Sequence, residues 1–392
     1  MDFSKGILKT LAAVSVVSAL AAPYFASAAA FSYSAWLPFW KQQSGAQEMS
    51  LNLYKFGSVS PFSYEVKSGG RLVDMVGLDQ GFWPAWLSAA RDANVKIIPT
   101  LAWFDGQAIH AMLSNKTKRI AHENAIVKLV KDKKYDGIDI DYESKLAATK
   151  DYFSTFLYGL AIRLHPLGKT LSCTIESRTP LTSLYAVIPP DIKYANDYAA
   201  LNKYCDEVRI MAYDQGLIDL KLDAEKASSA LYAPVADHDW VTKVLNEALK
   251  TISRKKIVLG IPTYGYEYQL TWANGRTKYE RLRSHTFFTA MDRAESYGLI
   301  PGRNSAGELS FDYTTGTLVA DVSDSLIWYI SSTLPAAIAS SAAQGGYTRF
   351  VSFSDAQSAA QKIQIAKKLG LKGAAFFKMD GEADPAIWAD LK

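Results

Sequence analysis

The chain has 392 residues, 49% of them hydrophobic and 21% charged, which is the balance of a globular protein able to bury a sizeable core. Its formal net charge of +4 is too small to argue for a nucleic-acid partner. Only Cys173 and Cys205 are present and neither has a ligand-type neighbour in sequence. That argues against zinc or redox chemistry and leaves two buried free thiols as the expectation, with a single disulfide as the alternative.

Residues 1–28 read as a secretory signal. Lys5 and Lys9 precede an apolar run from Leu11 to Ala22, and Ala26-Ser27-Ala28 offers a small-residue cleavage site. The run is shorter than the ~20 residues a spanning helix needs. The expectation is an exported protein, secreted or associated with the cell wall, with no stable membrane insertion once the signal is cleaved; retention as an anchor is the alternative.

Beyond residue 28, short apolar runs alternate with helical patterns, the signature of parallel strands joined by helices. The first strand is expected around Ser34 to Phe39 and the second from Leu53 to Val59. Trp83, Trp86, Leu87 and Ala90 recur at helical spacing, and a third strand runs from Val95 to Leu101. Helical segments from Gln107 to Lys133 lead into a fourth strand, Tyr135 to Glu143. Phe153, Phe156, Leu157, Leu160 and Leu164 form a helix stripe that His165-Pro166 ends. Strands five, six and seven are expected at Thr170 to Ile175, Glu207 to Asp214 and Lys256 to Pro262, with a helix stripe of Val241, Val244, Leu245, Ala248 and Ile252 before the last. Ser354 with Gln357 offers a capping box for a helix that ends at Gly370, and Lys372 to Phe377 is the eighth strand.

The interval 266–349 breaks this rhythm, being far longer than an ordinary strand-to-helix loop. It holds a helical piece, Thr286 to Tyr297, and strand-like pieces at Gly307 to Tyr313, Ser325 to Ile330 and Tyr347 to Phe353, and reads as a small α+β insertion after strand seven. Eight β-to-α units fit an α/β fold of the TIM (β/α)8 barrel type, in which chemistry sits at the C-terminal ends of the strands. A doubly wound open sheet is the competing architecture, but no glycine-rich phosphate turn follows any strand.

The fourth strand carries the chemistry. Alternation puts Ile138, Ile140 and Tyr142 on one face and Asp139, Asp141 and Glu143 on the other, one hydrophobic and one acidic. Buried carboxylates without partners are strongly disfavoured, and adjacent ones push each other's pKa apart, so one acid stays protonated beside an ionised neighbour. A solvated edge strand and an Mg²⁺ or Ca²⁺ site are the other readings of four acids in such a run.

Asp136, Gly137, Asp139, Asp141 and Glu143 match the Asp-Gly-x-Asp-x-Asp-x-Glu signature of glycoside hydrolase family 18, the chitinase-like family. Met211, Tyr213 and Asp214 resemble its sixth-strand Met-x-Tyr-Asp pattern, and Pro262, Tyr264 and Gly265 its seventh-strand segment. The resemblance covers nearly the whole chain beyond residue 28 and includes a small insertion after strand seven. It implies a retaining hydrolase of β-linked N-acetylglucosamine polymers, chitin or peptidoglycan, acting as a monomer without metal or organic cofactor. Glu143 would be the general acid and then base, and the substrate's own acetamido carbonyl would attack the anomeric carbon, the substrate-assisted exception to two-carboxylate glycosidases. Asp141 would hold the acetamido N–H, Tyr213 the acetamido oxygen, and Asp139 would tune Asp141 through a shared proton.

By the same resemblance Met211, Asp214, Tyr264 and Phe377 are expected to bind substrate, and Asp136 and Gly137 to be structural. Two departures stand out. Strand three reads Thr100-Leu101-Ala102-Trp103 where many chitinases carry Ser-x-Gly-Gly, and Phe377 stands where the family usually has tryptophan. The pattern is similar to the bacterial cell-wall and spore branch. Trp36, Trp40, Trp103 and Trp272 are candidates for sugar platforms. A catalytically silent carbohydrate-binding lectin on the same fold is the alternative function; retention of both Glu143 and Asp141 speaks against it.

Overall fold

The computed structural model describes residues 31–227, 230–273, 276–316, 327–330, 347–389 and 391. The expected signal at residues 1–28 lies outside them, as do the first two residues of the strand expected at Ser325 to Ile330 and the side chain of Trp272.

Short β-branched and small-residue runs form eight parallel strands: β1 (Ser32–Pro38), β2 (Ser58–Lys67), β3 (Thr100–Trp103), β4 (Gly137–Tyr142), β5 (Thr170–Glu176), β6 (Glu207–Met211), β7 (Ile257–Pro262) and β8 (Gly373–Phe377). Each pairs with the next, and β8 pairs back onto β1 from Ser32 opposite Gly373 to Ala35 opposite Phe376, so the sheet closes into a TIM barrel. Outward residues of β4 pack under helices: the Tyr142 ring stacks on Phe156 of the helix Lys150–Leu164 at 5.5 Å, and its hydroxyl meets His122 Nε2 at 2.5 Å. The interior holds a small apolar cluster of Trp36, Phe62, Ala102, Val258 and Ala375. Among the described residues no helix is long and apolar enough to cross a membrane.

Three expectations need correction. Leu53–Lys55 is a single helical turn, and the second strand begins at Ser58 and runs ten residues. Its inward positions include Ser58 and the fully buried Ser60, small polar residues that erase the apolar alternation by which strands are read. Cys173 and Cys205 are not free thiols: they form a disulfide with Cα atoms 6.1 Å apart, joining β5 to the residue that ends the helix Tyr198–Tyr204. The cap of the helix Ala356–Lys368 sits one residue later than expected, with Asp355 as N-cap exchanging hydrogen bonds with Ser358.

One residue after β7 the chain leaves the barrel into a six-stranded antiparallel sheet. Its order is Gly302–Arg303, Leu309–Thr315, Tyr347–Phe353, Tyr264–Ala273, Arg276–Thr286 and Ile327–Ile330. The helix Phe287–Ser296 covers it over a second core that includes Ala290, Phe311, Val351 and Phe353. The sheet thus starts at Tyr264, and its long first hairpin had no counterpart among the expected pieces because its alternating residues are mostly polar and aromatic.

Candidate active site

The strands' C-terminal ends open on a cavity of about 340 Å³. Asp141, Glu143, Met211, Tyr213, Asp214 and Phe377 line it, six of the residues marked in the sequence, together with Thr174 and an aromatic rim of Trp36, Phe39, Trp40, Phe62 and Phe104. Trp36 and Trp40 are therefore placed on the cleft. Trp103 instead lies edge-on against Tyr142 at 5.5 Å, behind the strand.

Asp139 lies beneath this cavity with no solvent exposure. Its carboxylate accepts from Trp36 Nε1 at 3.2 Å, Thr100 Oγ1 at 2.9 Å, Ser172 Oγ at 2.7 Å and Thr174 Oγ1 at 2.9 and 3.0 Å. The fully buried Arg209 guanidinium approaches to 3.7 Å, held in turn by Ser60 at 2.6 Å. Four donors and a cation account for the buried charge, and a donor set of N–H and O–H groups around it does not suit a second cation. The lower acid acts on the upper one through its charge.

Asp141 is treated differently by its surroundings. Its Oδ1 is buried and has no hydrogen-bond partner. Burial first, then the charges of Glu143 and Asp139, push its pKa well above the usual carboxylate range, with Lys145 opposing. Glu143 is pushed up to about 7 by burial and by Glu176 and Asp214, again against Lys145. Glu176 is fixed by accepting from the Ser144 backbone N–H at 3.0 Å and from Asn196 Nδ2 at 2.8 Å.

Tyr213 lies nearly parallel to Phe377, ring centroids 5.5 Å apart, and burial beside Asp141 and Asp214 raises its pKa so that it stays a neutral hydroxyl donor. Asp214, in the left-handed region at φ 58°, accepts from Tyr264 at 2.5 Å and Tyr266 at 2.7 Å. Tyr264 reaches the site through Asp214 and does not itself line the cavity. At the entry of β4, Asp136 accepts the Ile97 backbone N–H at 2.8 Å, and a Cβ on Gly137 would fall 2.2 Å from the Thr170 carbonyl oxygen. Neither lines the cavity.

The sequence model of Glycosyl hydrolases family 18 matches residues 53–382. The chain belongs to that family. Similar proteins include chitinase 1 of Aphanocladium album, 27% identical over 200 residues that cover 49% of this chain and 46% of the relative. The cortical fragment-lytic enzyme of Bacillus anthracis is 23% identical over 251 residues, 64% of this chain and 47% of the relative. The chain spans about half the length of the curated relatives it matches. In fold it superposes on the Bacillus cereus spore cortex-lytic enzyme SleL with a TM-score of 0.67 and 20% identity, over 92% of this chain and 73% of the other.

What the motifs did not reveal is the support beneath them. Thr100, Ser172, Thr174 and Arg209 come from three different strands, β3, β5 and β6, and carry no local pattern. The one available signal was their inward parity, since Thr100, Ser172 and Thr174 stand level with Asp139 or Asp141 on adjacent strands.

Proposed function

We propose that the chain cleaves β-linked N-acetylglucosamine polymers, chitin-type or peptidoglycan glycan, with retention through an oxazolinium intermediate. The supporting observation is the unpartnered, buried Asp141 Oδ1 in the same cavity as a Glu143 that holds its proton to about pH 7. An orphaned acceptor at the end of a packed strand costs stability and has a use if a substrate N–H completes it. In this reading Glu143 protonates the glycosidic oxygen. Asp141 takes the acetamido N–H, while Tyr213 donates to the acetamido oxygen and turns it onto the anomeric carbon. Glu143 then accepts a proton from the water that opens the ring.

The test pairs product mass spectrometry on chitooligosaccharides and purified peptidoglycan with an N-deacetylated oligosaccharide. Cleavage should require an intact acetamido group at the sugar on the non-reducing side of the broken bond; cleavage beside glucosamine at an undiminished rate would refute substrate assistance. We also infer export as a monomer. The apolar run at Leu11 to Ala22 and the buried Cys173–Cys205 disulfide, a bond of oxidising compartments, support export. N-terminal sequencing of the extracellular fraction checks it.

A further inference from the structure

Beside the catalytic cavity, on the rim formed by the segments that follow β4 and β5, lies a groove that the proposed chemistry does not use. Two adjoining hollows of about 320 and 600 Å³ share Arg178, Lys193, Tyr194, Asn196 and Tyr198 in their walls. The inner hollow is lined by Lys145 and Glu176, whose charges also act on Glu143, so the groove neighbours the cavity.

The groove's charge is lopsided. Its acids are already engaged: Glu176 by Ser144, Asn196 and Lys145, and Asp197 by capping the helix Tyr198–Tyr204. Apart from Lys145, which pairs with Glu176, its cations are not. Among the described residues Lys150, Arg178 and Lys193 have no carboxylate partner, and Lys150 and Lys193 are exposed. The Arg178 guanidinium is clamped between the Tyr194 and Tyr198 rings, 3.6 and 3.9 Å from their centroids, and spends one donor on the Asn196 carbonyl at 2.8 Å. Stacking fixes the plane of the fork while leaving its remaining N–H groups for a planar anion. Two buried polar atoms in the same wall, Tyr198 Oη and Asn196 Oδ1, also lack hydrogen-bond partners.

We infer that this groove binds a carboxylate-bearing substituent of the glycan beside the cleaved linkage, with Arg178 as the fixed anchor and Lys150 and Lys193 as its mobile companions. The inference rests on the glycosidase reading of the adjacent cavity and narrows its substrate from neutral to acid-substituted N-acetylglucosamine polymers. The carboxylate has two sources, an ether-linked lactyl group on the sugar and the acidic residues of an attached peptide.

The experiment measures kcat/KM on three substrates: a neutral chitooligosaccharide, a lactyl-substituted glycan stripped of peptide, and the same glycan with its peptide. The wild type should prefer at least one acidic glycan, and added salt should reduce that preference. For Lys150→Ala/Lys193→Ala, the ratio of kcat/KM on the preferred acidic glycan to that on the neutral one should fall about tenfold, carried by KM. Arg178→Lys should lower it too, and Lys193→Arg should retain it. Loss confined to the peptide-bearing substrate, whose lactyl carboxyl is tied up in an amide, assigns the anion to the peptide; loss confined to the peptide-free substrate assigns it to the lactyl group, and loss on both means that the groove takes either carboxylate. A preference for the neutral oligosaccharide, or variants that slow all three substrates equally, would overturn the inference while leaving the hydrolase reading intact. Absence of cleavage of all three substrates would overturn both.

Discussion

The Glu143 carboxyl ionises late because burial strips water from its anion and Glu176 and Asp214 add like charge, while Lys145 opposes them. A general acid must carry its proton, so kcat/KM should fall on the alkaline side with an apparent pKa near the enzyme's value of about 7. Glu176→Gln keeps an acceptor for the Ser144 N–H but removes a like charge, and should move that alkaline limb to lower pH; a limb that stays in place would mean another group titrates there. Glu143→Gln should cost on the order of 10²- to 10⁴-fold in rate and yet stabilise the fold. Between about pH 4.3, where a free glutamate ionises, and about 7 the folded wild type holds a proton the unfolded chain has released. Wild-type stability therefore declines across that window and is level above it. The Tm advantage of Glu143→Gln should grow over the same interval and then stay constant, which thermal melts at stepped pH would reveal.

The elements around the site are spaced by what they omit. A Cβ on Gly260 of β7 would fall 2.7 Å from the Ile210 carbonyl oxygen and 2.9 Å from Tyr213 Cε1. Gly260→Ala should therefore push Tyr213 off its place against Phe377 and lower kcat more than it lowers Tm; equal loss of both would point to simple destabilisation. The disulfide works at the same scale, closing a span of 32 residues between two fully buried sulfurs. Replacing both cysteines by alanine should cost roughly 2–4 kcal/mol in urea unfolding, while a reductant should leave the native enzyme active because neither sulfur is exposed. How much of this was legible divides along physical lines. β4 announced itself because alternation and acid spacing are local properties of nine consecutive residues. β2 was misplaced because its inward positions include two serines, of which Ser60 serves Arg209 on the far side of the barrel, and the cage around Asp139 stayed hidden because hydroxyl donors from separate strands leave no spacing to read.

At the scale of the whole molecule, the sheet after β7 is fastened to the barrel through buried polar groups as well as apolar ones. Tyr264 and Tyr266 of its first strand hold Asp214 at the catalytic rim. Glu308, fully buried next to the strand Leu309–Thr315, accepts the backbone N–H groups of Val235 and Ala236 at 3.0 and 2.7 Å and the Ser352 hydroxyl at 2.7 Å. One carboxylate thus satisfies two amides from the loop before the helix His238–Leu249 and one hydroxyl of the sheet. Glu308→Ala would strand all three donors away from water, at about 1–3 kcal/mol for each one left unpaired. Because the orphans lie on both sides of the boundary, the barrel and the sheet should lose stability together. Calorimetry of this variant should show a single transition at lower temperature, as for the wild type. Two separated transitions would mean that the sheet folds independently and that its grip on Asp214 is incidental.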